Sequence, residues 1–252
     1  MNTSETRNKS VGQIVAEKFS TARIFKNYGI DFCCHGSNSL EEACRTAGVE
    51  IETVMEALNS ESSSANGEIP FASWPLDLLI DYILKIHHRG IRKNGPELLA
   101  LIEKVRNVHG ESHPELFELY NLVSESLIDL ENHLQKEENV LFPYLLELIE
   151  ASENNSKIGP MHCGSIANPI RVMHMEHEGE GNRYQHIKEI TNNFQAPEDG
   201  CNTYRLMMSE LETFVANLYE HIHLENNILF PECMKLENWN LGGSYQVCGR
   251  LK

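Results

Sequence analysis

Positive charge is scarce in this chain: 21 Lys and Arg stand against 37 Asp and Glu over 252 residues, a formal charge of −16. A surface of that sign repels nucleic-acid backbones and anionic membranes, which leaves small ligands, metals and basic proteins as the expected partners. No stretch reaches the roughly eighteen consecutive apolar residues of a membrane-spanning helix. The opening MNTSETRNKS has no apolar run of the signal-peptide kind. Seven cysteines, an odd number, show no CxxC spacing, so the sequence points to free thiols in a reducing cytoplasm. For the same reason Cys44, Cys163, Cys201, Cys233 and Cys248 suggest no zinc or iron-sulfur site. Only 2 tryptophans occur against 12 histidines, a balance that leans toward metal chemistry, within an apolar content of 41% that is ordinary for a globular protein.

What is present is helical periodicity. Val11, Ile14, Val15, Phe19, Ile24 and Phe25 recur at helical spacing, the pattern breaks at Tyr28-Gly-Ile-Asp-Phe, and a further helical segment runs from Leu40 to Leu58. NSESSSANG, from Asn59 to Gly67, is polar and aperiodic, and Pro70 and Pro75 follow it. Beyond it lie four long helical patterns with no convincing strand among them. The expected architecture is all-α: residues 1–62 a small helical domain, 63–74 a linker, 75–236 an up-down-up-down four-helix bundle, and 237–252 a loosely held tail. The composition of the linker implies a flexible tether between separately folded parts.

Two of the four patterns end alike. ENHLQKEENVLFP spans Glu131 to Pro143 and YEHIHLENNILFP spans Tyr219 to Pro231, so a His-x-x-x-Glu pair followed by Leu-Phe-Pro is written twice. Residues four apart share a helix face, which lets His133 with Glu137, and His221 with Glu225, each aim an imidazole and a carboxylate at one point. Nitrogen and carboxylate donors together suit iron, zinc or manganese better than calcium or magnesium. A single such pair is an ordinary solvent-facing helix turn; its repetition indicates two halves of a two-metal site. Each proline should stop or kink its helix. The other two helices also carry histidines. His177 shares a face with Ile170, Met173 and Tyr184, with His174 near that face. On the first helix His87 lies at the centre of the Leu76, Ile80 and Ile83 stripe and His88 on its flank, so spacing alone leaves both choices open. Asp129 and Glu176 are candidate partners for ligand N–H groups.

IFKNYGIDFCCHG, HHRGIRKNGPELL, ENHLQKEENVLFP, VMHMEHEGEG and EHIHLENNILFP occur in this order from Val11 to about Lys235. In them the chain resembles the repair-of-iron-centres family, hemerythrin-like di-iron proteins of bacterial stress that restore iron-sulfur clusters damaged by nitric oxide or oxidants. The resemblance implies a hemerythrin-like bundle behind a small helical N-terminal domain. It places the first-helix ligand eight residues before the proline of Pro-Glu-Leu, which is His88, and the third-helix ligand at the histidine of Glu-His, which is His177. The implied set is His88, His133, Glu137, His177, His221 and Glu225, holding two iron ions in an oxo- or hydroxo-bridged centre. The two glutamates would bridge, and two histidines would cap each metal with a position left for a diatomic ligand. Only two carboxylates would face the metals, so iron should be held less firmly than in the carboxylate-rich bundles.

The vicinal Cys33-Cys34, between Phe32 and His35-Gly36, favours thiol exchange or soft-metal binding over a mutual disulfide, which adjacent cysteines form only with strain. Under the resemblance this pair belongs to the repair step. The implied partners are damaged iron-sulfur proteins and nitric oxide or dioxygen, with a homodimer among the expected states and neither nucleic acid nor membrane. The expected function is repair of iron-sulfur clusters by supplying iron or handling nitric oxide, the latter including a nitric oxide reductase-type activity. The rival is a hemerythrin-like module that binds or senses dioxygen or nitric oxide without repairing anything, and a carrier of that kind has no need of the thiols.

Overall fold

A computed structural model describes residues 6–61 and 69–242. Apart from an isolated antiparallel bridge between Ser10 and Ser39, the regular structure of these residues is helical. The internal packing divides the chain into two compact units, one of Met1–Leu79, Leu148–Ile158 and Ile222–Lys252, the other of Ile80–Glu147 and Gly159–His221.

In the first unit, α1 (Val11–Glu17), α2 (Thr21–Asn27), α3 (Leu40–Ala47) and α4 (Ile51–Glu61) are short helices with strong local stop and start signals. Ser10 caps α1 in a capping box with Gln13, and Ser39 caps α3 by accepting the Glu42 N–H. Gly48, at φ 68°, ends α3 in the left-handed conformation that favours glycine. These helices do not close on themselves. α1 packs against the 3-10 turn Phe71–Ser73 and against Glu225–Leu229, so the core of this unit joins Val11, Ile14 and Phe25 to Phe71, Leu229 and Phe230. The N-terminal segment is therefore built onto the end of the last helix and does not pack alone. Of the expected linker, residues 63–68 lie outside the described residues, and residues 69–74 hold the 3-10 turn Phe71–Ser73. Of the expected tail, residues 243–252, with Cys248, also lie outside them. The part before that is anchored: the Asn240 carboxamide bonds both the N–H and the carbonyl of Ile158 at 3.0 Å, and Lys157 donates to the Trp239 carbonyl.

The second unit is a four-helix bundle. The first helix runs through α5 (Leu76–Tyr82), a π-helical turn Ile83–His88 and α6 (Arg89–His109), with Pro96 inside it. The second runs through α7 (Glu115–Lys136), a π turn Glu137–Leu141 and α8 (Phe142–Glu153). The third is α9 (Ala167–Ile190), and the fourth begins as α10 (Asn202–Leu224). Ile80, Ile102, Leu116, Val123, Ile170, Tyr184 and Leu211 fill its interior. Tyr120 and Leu127, which periodicity points inward, are only half-buried, and Leu119 and Ser126 take the interior positions.

The Leu-Phe-Pro repeats do not end their helices. A proline ring collides with the carbonyl four residues back and offers it no N–H. Both helices answer by widening one turn: the Phe142 N–H bonds the Glu137 carbonyl five residues back, and the Phe230 N–H bonds that of Glu225. The helix then resumes as α8 and, after the π turn Glu225–Leu229, as α11 (Phe230–Asn240). Such turns gather at functional sites because they re-aim side chains without breaking the helix.

Inside the first unit, the Asn227 side chain fills a slot that two glycines leave open. A Cβ on Gly12 would lie 2.2 Å, and one on Gly36 2.1 Å, from Asn227 Oδ1. Gly36→Ala is expected to cost about 1–3 kcal/mol through overpacking, read as a fall in the thermal unfolding midpoint. Combining it with Asn227→Ala, which empties the slot, should cost clearly less than the sum of the two single changes.

Candidate metal centre

The π turns set the register of the donors. On the first helix, one extra residue per turn rotates the downstream residues by about 100° relative to the preceding stripe, and so His88 is turned inward together with His87. Five of the six expected ligands, His88, His133, Glu137, His177 and His221, converge in the bundle, none more than 4% exposed. Glu137 lies between two groups: its Oε1 is 3.3 Å from His133 Nε2 and its Oε2 is 3.4 Å from His88 Nε2. His177 Nε2 meets His133 Nε2 at 3.0 Å. The ligand atoms of His133, Glu137 and His177 fall within 4.8 Å of one another, as do those of His88, Glu137 and His221. Glu225 stands four residues beyond His221 on the same continuous helix, at the start of its π turn, with its side chain fully buried.

The outer nitrogens of two imidazoles are held by carboxylates. His133 Nδ1 bonds Glu176 at 2.8 Å, and His88 Nδ1 bonds Glu138 at 2.8 Å. A carboxylate only accepts, so Nδ1 carries the proton and Nε2 turns its lone pair to the cavity. The bond from His133, reinforced by Lys136, holds Glu176 at about 2, well below the usual carboxylate range despite its partial burial. For Glu138, burial opposes ionisation, and Arg92 with His88 more than offsets it. Arg92 also clamps Glu131 at 2.8 Å.

Of the two expected acceptors, Glu176 takes that role. Asp129 instead pairs with Arg183 at 2.6 Å, and Glu138, which spacing did not single out, serves His88. His174 is exposed. His87 is buried outside both donor groups, stacked on His221 at 5.7 Å and set edge-on to Tyr82 at 5.3 Å. One turn beyond His177, Glu180 accepts from Ser126 at 2.6 Å and pairs with Arg183, and Ser126 also meets the Tyr184 hydroxyl at 2.9 Å. Burial pushes the Glu180 carboxyl up from its usual value.

The cysteine pair belongs to the first unit and is less open than a glycine-bounded turn suggests: Cys33 is buried and Cys34 half-buried. Asp31 Oδ1 accepts the backbone N–H of Cys33 at 3.0 Å and of Cys34 at 2.9 Å. Its Oδ2 meets His35 Nδ1 at 2.6 Å. The turn is fastened to the residues that follow Glu225. Asn226 Nδ2 donates to the Cys33 carbonyl at 3.2 Å, and Asn227 Nδ2 donates to the Phe32 carbonyl at 3.2 Å and meets His223 Nδ1 at 3.1 Å. Burial holds His223 at about 4, so this ring stays neutral between Phe19 and Phe32.

Nitrogen and carboxylate donors in two buried groups that share Glu137 fit iron. Residues 79–233 match the hemerythrin HHE cation binding domain, and residues 7–62 match a domain of unknown function, DUF542. Over 231 residues the chain is 32% identical to the iron-sulfur cluster repair protein YtfE of Yersinia pseudotuberculosis (serotype IB, strain PB1/+), covering 92% of this chain and 99% of that protein. The same protein of Yersinia pestis (strain Pestoides F) matches equally, at 32% over 92% of this chain and 99% of its own length. The chain belongs to the hemerythrin-like family of iron-sulfur cluster repair proteins. As in the family, an all-α hemerythrin-like bundle follows a small helical N-terminal domain. Among the described residues no helix is long and apolar enough to cross a membrane.

One thiol in the bundle unit is activated. Cys201 stands before α10, where the backbone N–H of Tyr204 and then the His109 imidazole, 3.3 Å away, lower its thiol to about 7. Its alkylation by iodoacetamide, followed on the isolated peptide by mass spectrometry, should rise with pH through a midpoint near 7, because the thiolate is the nucleophile. In His109→Ala the midpoint should move up toward the ordinary thiol value.

Proposed function

We propose that this protein restores damaged iron-sulfur clusters, supplying iron from a di-iron centre in the bundle. The observation that carries the reading is Glu137, whose two oxygens are divided between His133 and His88 at 3.3 and 3.4 Å. A carboxylate placed so is suited to bridge two metals. His133 and His177 would hold one iron, His88 and His221 the other, and Glu225 would be the second bridge. Bound there, the metal pair supplies a store of ferrous iron and open positions for a small diatomic ligand. The protein's own part is to present lone pairs: Glu176 and Glu138 fix the tautomer and direction of two imidazoles, and the surrounding side chains keep the cavity closed to bulk water.

Four neutral imidazoles and two carboxylates compensate only part of the charge of two ferrous ions, which favours release over storage. Charge of this kind also argues against a role as an oxygen-activating enzyme of the carboxylate-rich type. A plain carrier or sensor of dioxygen or nitric oxide is the rival. It is disfavoured by the cysteine turn, whose carbonyls are bonded by Asn226 and Asn227, directly after Glu225 in the chain. We take Cys33 and Cys34 as the residues of the repair step that engage the damaged cluster.

Two experiments test this. Glu137→Leu and Glu225→Leu should each lower the iron content sharply from two per chain, because each removes a ligand from both metals, while His87→Ala and His174→Ala keep it near two. Full iron in both glutamate variants would sink the assignment. Separately, Cys33→Ala with Cys34→Ala should retain the bundle iron yet slow reactivation of a nitric-oxide-damaged iron-sulfur enzyme. Unchanged reactivation in that variant leaves the pair without a role in repair.

A further inference from the structure

We propose that Asp31, Cys33 and Cys34 form a separate binding site for a single divalent cation of the iron and zinc class. This is an additional metal position in the chain, distinct from the bundle donors. One carboxylate oxygen and two sulfurs, each within 4.8 Å of the others, supply the donors. Cys33 Sγ and Cys34 Sγ are 3.7 Å apart, and Asp31 Oδ1 is 3.3 Å from Cys33 Sγ. Two sulfurs on a tetrahedral ion, at about 2.3 Å each, stand roughly 3.8 Å apart, and an oxygen at about 2.0 Å stands roughly 3.5 Å from either. Two edges of one face of such a tetrahedron are thus already set, and the third atom pair lies within 4.8 Å. A disulfide would require the sulfurs to close to about 2.0 Å across a strained ring.

The surroundings favour a cation over nucleophilic chemistry. Reactive thiols sit beside lysine, arginine or a protonated histidine that stabilises the thiolate. Here the neighbouring charge on Cys33 is the Asp31 carboxylate, and a bound cation is what balances three anionic donors. Asp31 Oδ1 accepts both backbone N–H groups and the Cys33 thiol, and a cation bound by that sulfur would take the place of the thiol proton at the same oxygen. The turn is also held in shape before any ion arrives, by Asn226 and Asn227 on its carbonyls and by the Asn227 slot against Gly12 and Gly36. Preformed donors avoid the ordering cost that a loose loop would meet.

As two metal–sulfur bonds form, two S–H protons leave to solvent, and no electron is transferred. Three protein donors leave a fourth tetrahedral position, through which the ion passes to a client by ligand exchange. That the ion in transit is iron rests on the function proposed above.

The test uses full-length protein with its iron quantified, reduced and kept anaerobic, and titrated with Co(II). Only cysteine ligands give a thiolate-to-cobalt charge-transfer band, so the nitrogen and oxygen donors of the bundle are silent in it. The band is expected to saturate at one equivalent per chain and to be lost in Cys33→Ser with Cys34→Ser. Asp31→Asn keeps an acceptor for both backbone N–H groups and should weaken cobalt binding about tenfold or more. Cys201→Ser should leave the band unchanged, and excess ferrous iron added first should suppress it. Absence of the band, its persistence in the double variant, or its loss in Cys201→Ser overturns the site, and a band indifferent to ferrous iron overturns the transit role. A normal cobalt band on protein that holds no bundle iron supports the turn site and counts against the bundle assignment alone.

Discussion

A glutamate with no exposed surface in the middle of a helical bundle is the constraint to which the rest of the structure answers. Glu137 is fully buried, and an ionised carboxylate in that position is costly unless positive charge meets it. Its oxygens face the His133 and His88 rings, whose outer nitrogens are committed to Glu176 and Glu138. Those bonds put the imidazole protons on the outside and leave acceptor lone pairs facing the carboxylate. Acceptors gathered on acceptors is an arrangement that a cation reconciles. The same requirement reaches the surface, where Lys136 sits on Glu176 and Arg92 on Glu138, so each of these two imidazoles is backed by a carboxylate and that carboxylate by a cation.

Keeping such donors aimed requires helices that bend their register at chosen points. In both Leu-Phe-Pro segments the proline forbids an ordinary turn and the backbone widens to a π turn that starts on the glutamate itself. The first helix has its π turn where it delivers His88, without a proline in it. Widening the turn at Glu225 has a second effect within its own unit. It turns Asn226 and Asn227 toward the N-terminal segment, where their carboxamides bond the carbonyls of Phe32 and Cys33.

The duplicated His-x-x-x-Glu pair was legible in the sequence because an i to i+4 relation needs only local helix geometry, and that geometry holds up to each glutamate. The helical character of the whole chain was legible for the same reason. What spacing could not decide was His87 against His88, since a stripe read from Leu76, Ile80 and Ile83 assumes a constant turn and the π turn violates it. Ser126 in place of Leu127 in the core reflects a buried partner, Glu180, fifty-four positions away, which no local pattern contains. The closeness of the N-terminal helices to Glu225–Leu229 was invisible for another reason. A Ser- and Asn-rich connector reads as a tether whatever its flanks pack against, and the doubled asparagine after Glu225, where the first repeat has Glu138-Asn139, was the available hint.

Under the proposed function, iron to be given away would ask for a site of limited charge and a route out. The bundle would meet the first demand by offering imidazoles where storage bundles use carboxylates: each His adds a donor without adding a negative charge, so bound ions would be oriented more than neutralised. The cysteine turn would address the second. Asn226, whose carboxamide bonds the Cys33 carbonyl, is the residue after Glu225, so the glutamate and the clasp on the turn share one stretch of backbone. The slot around Asn227, which leaves no room for a Cβ on Gly12 or Gly36, keeps that carboxamide in place on the Phe32 and Cys33 carbonyls.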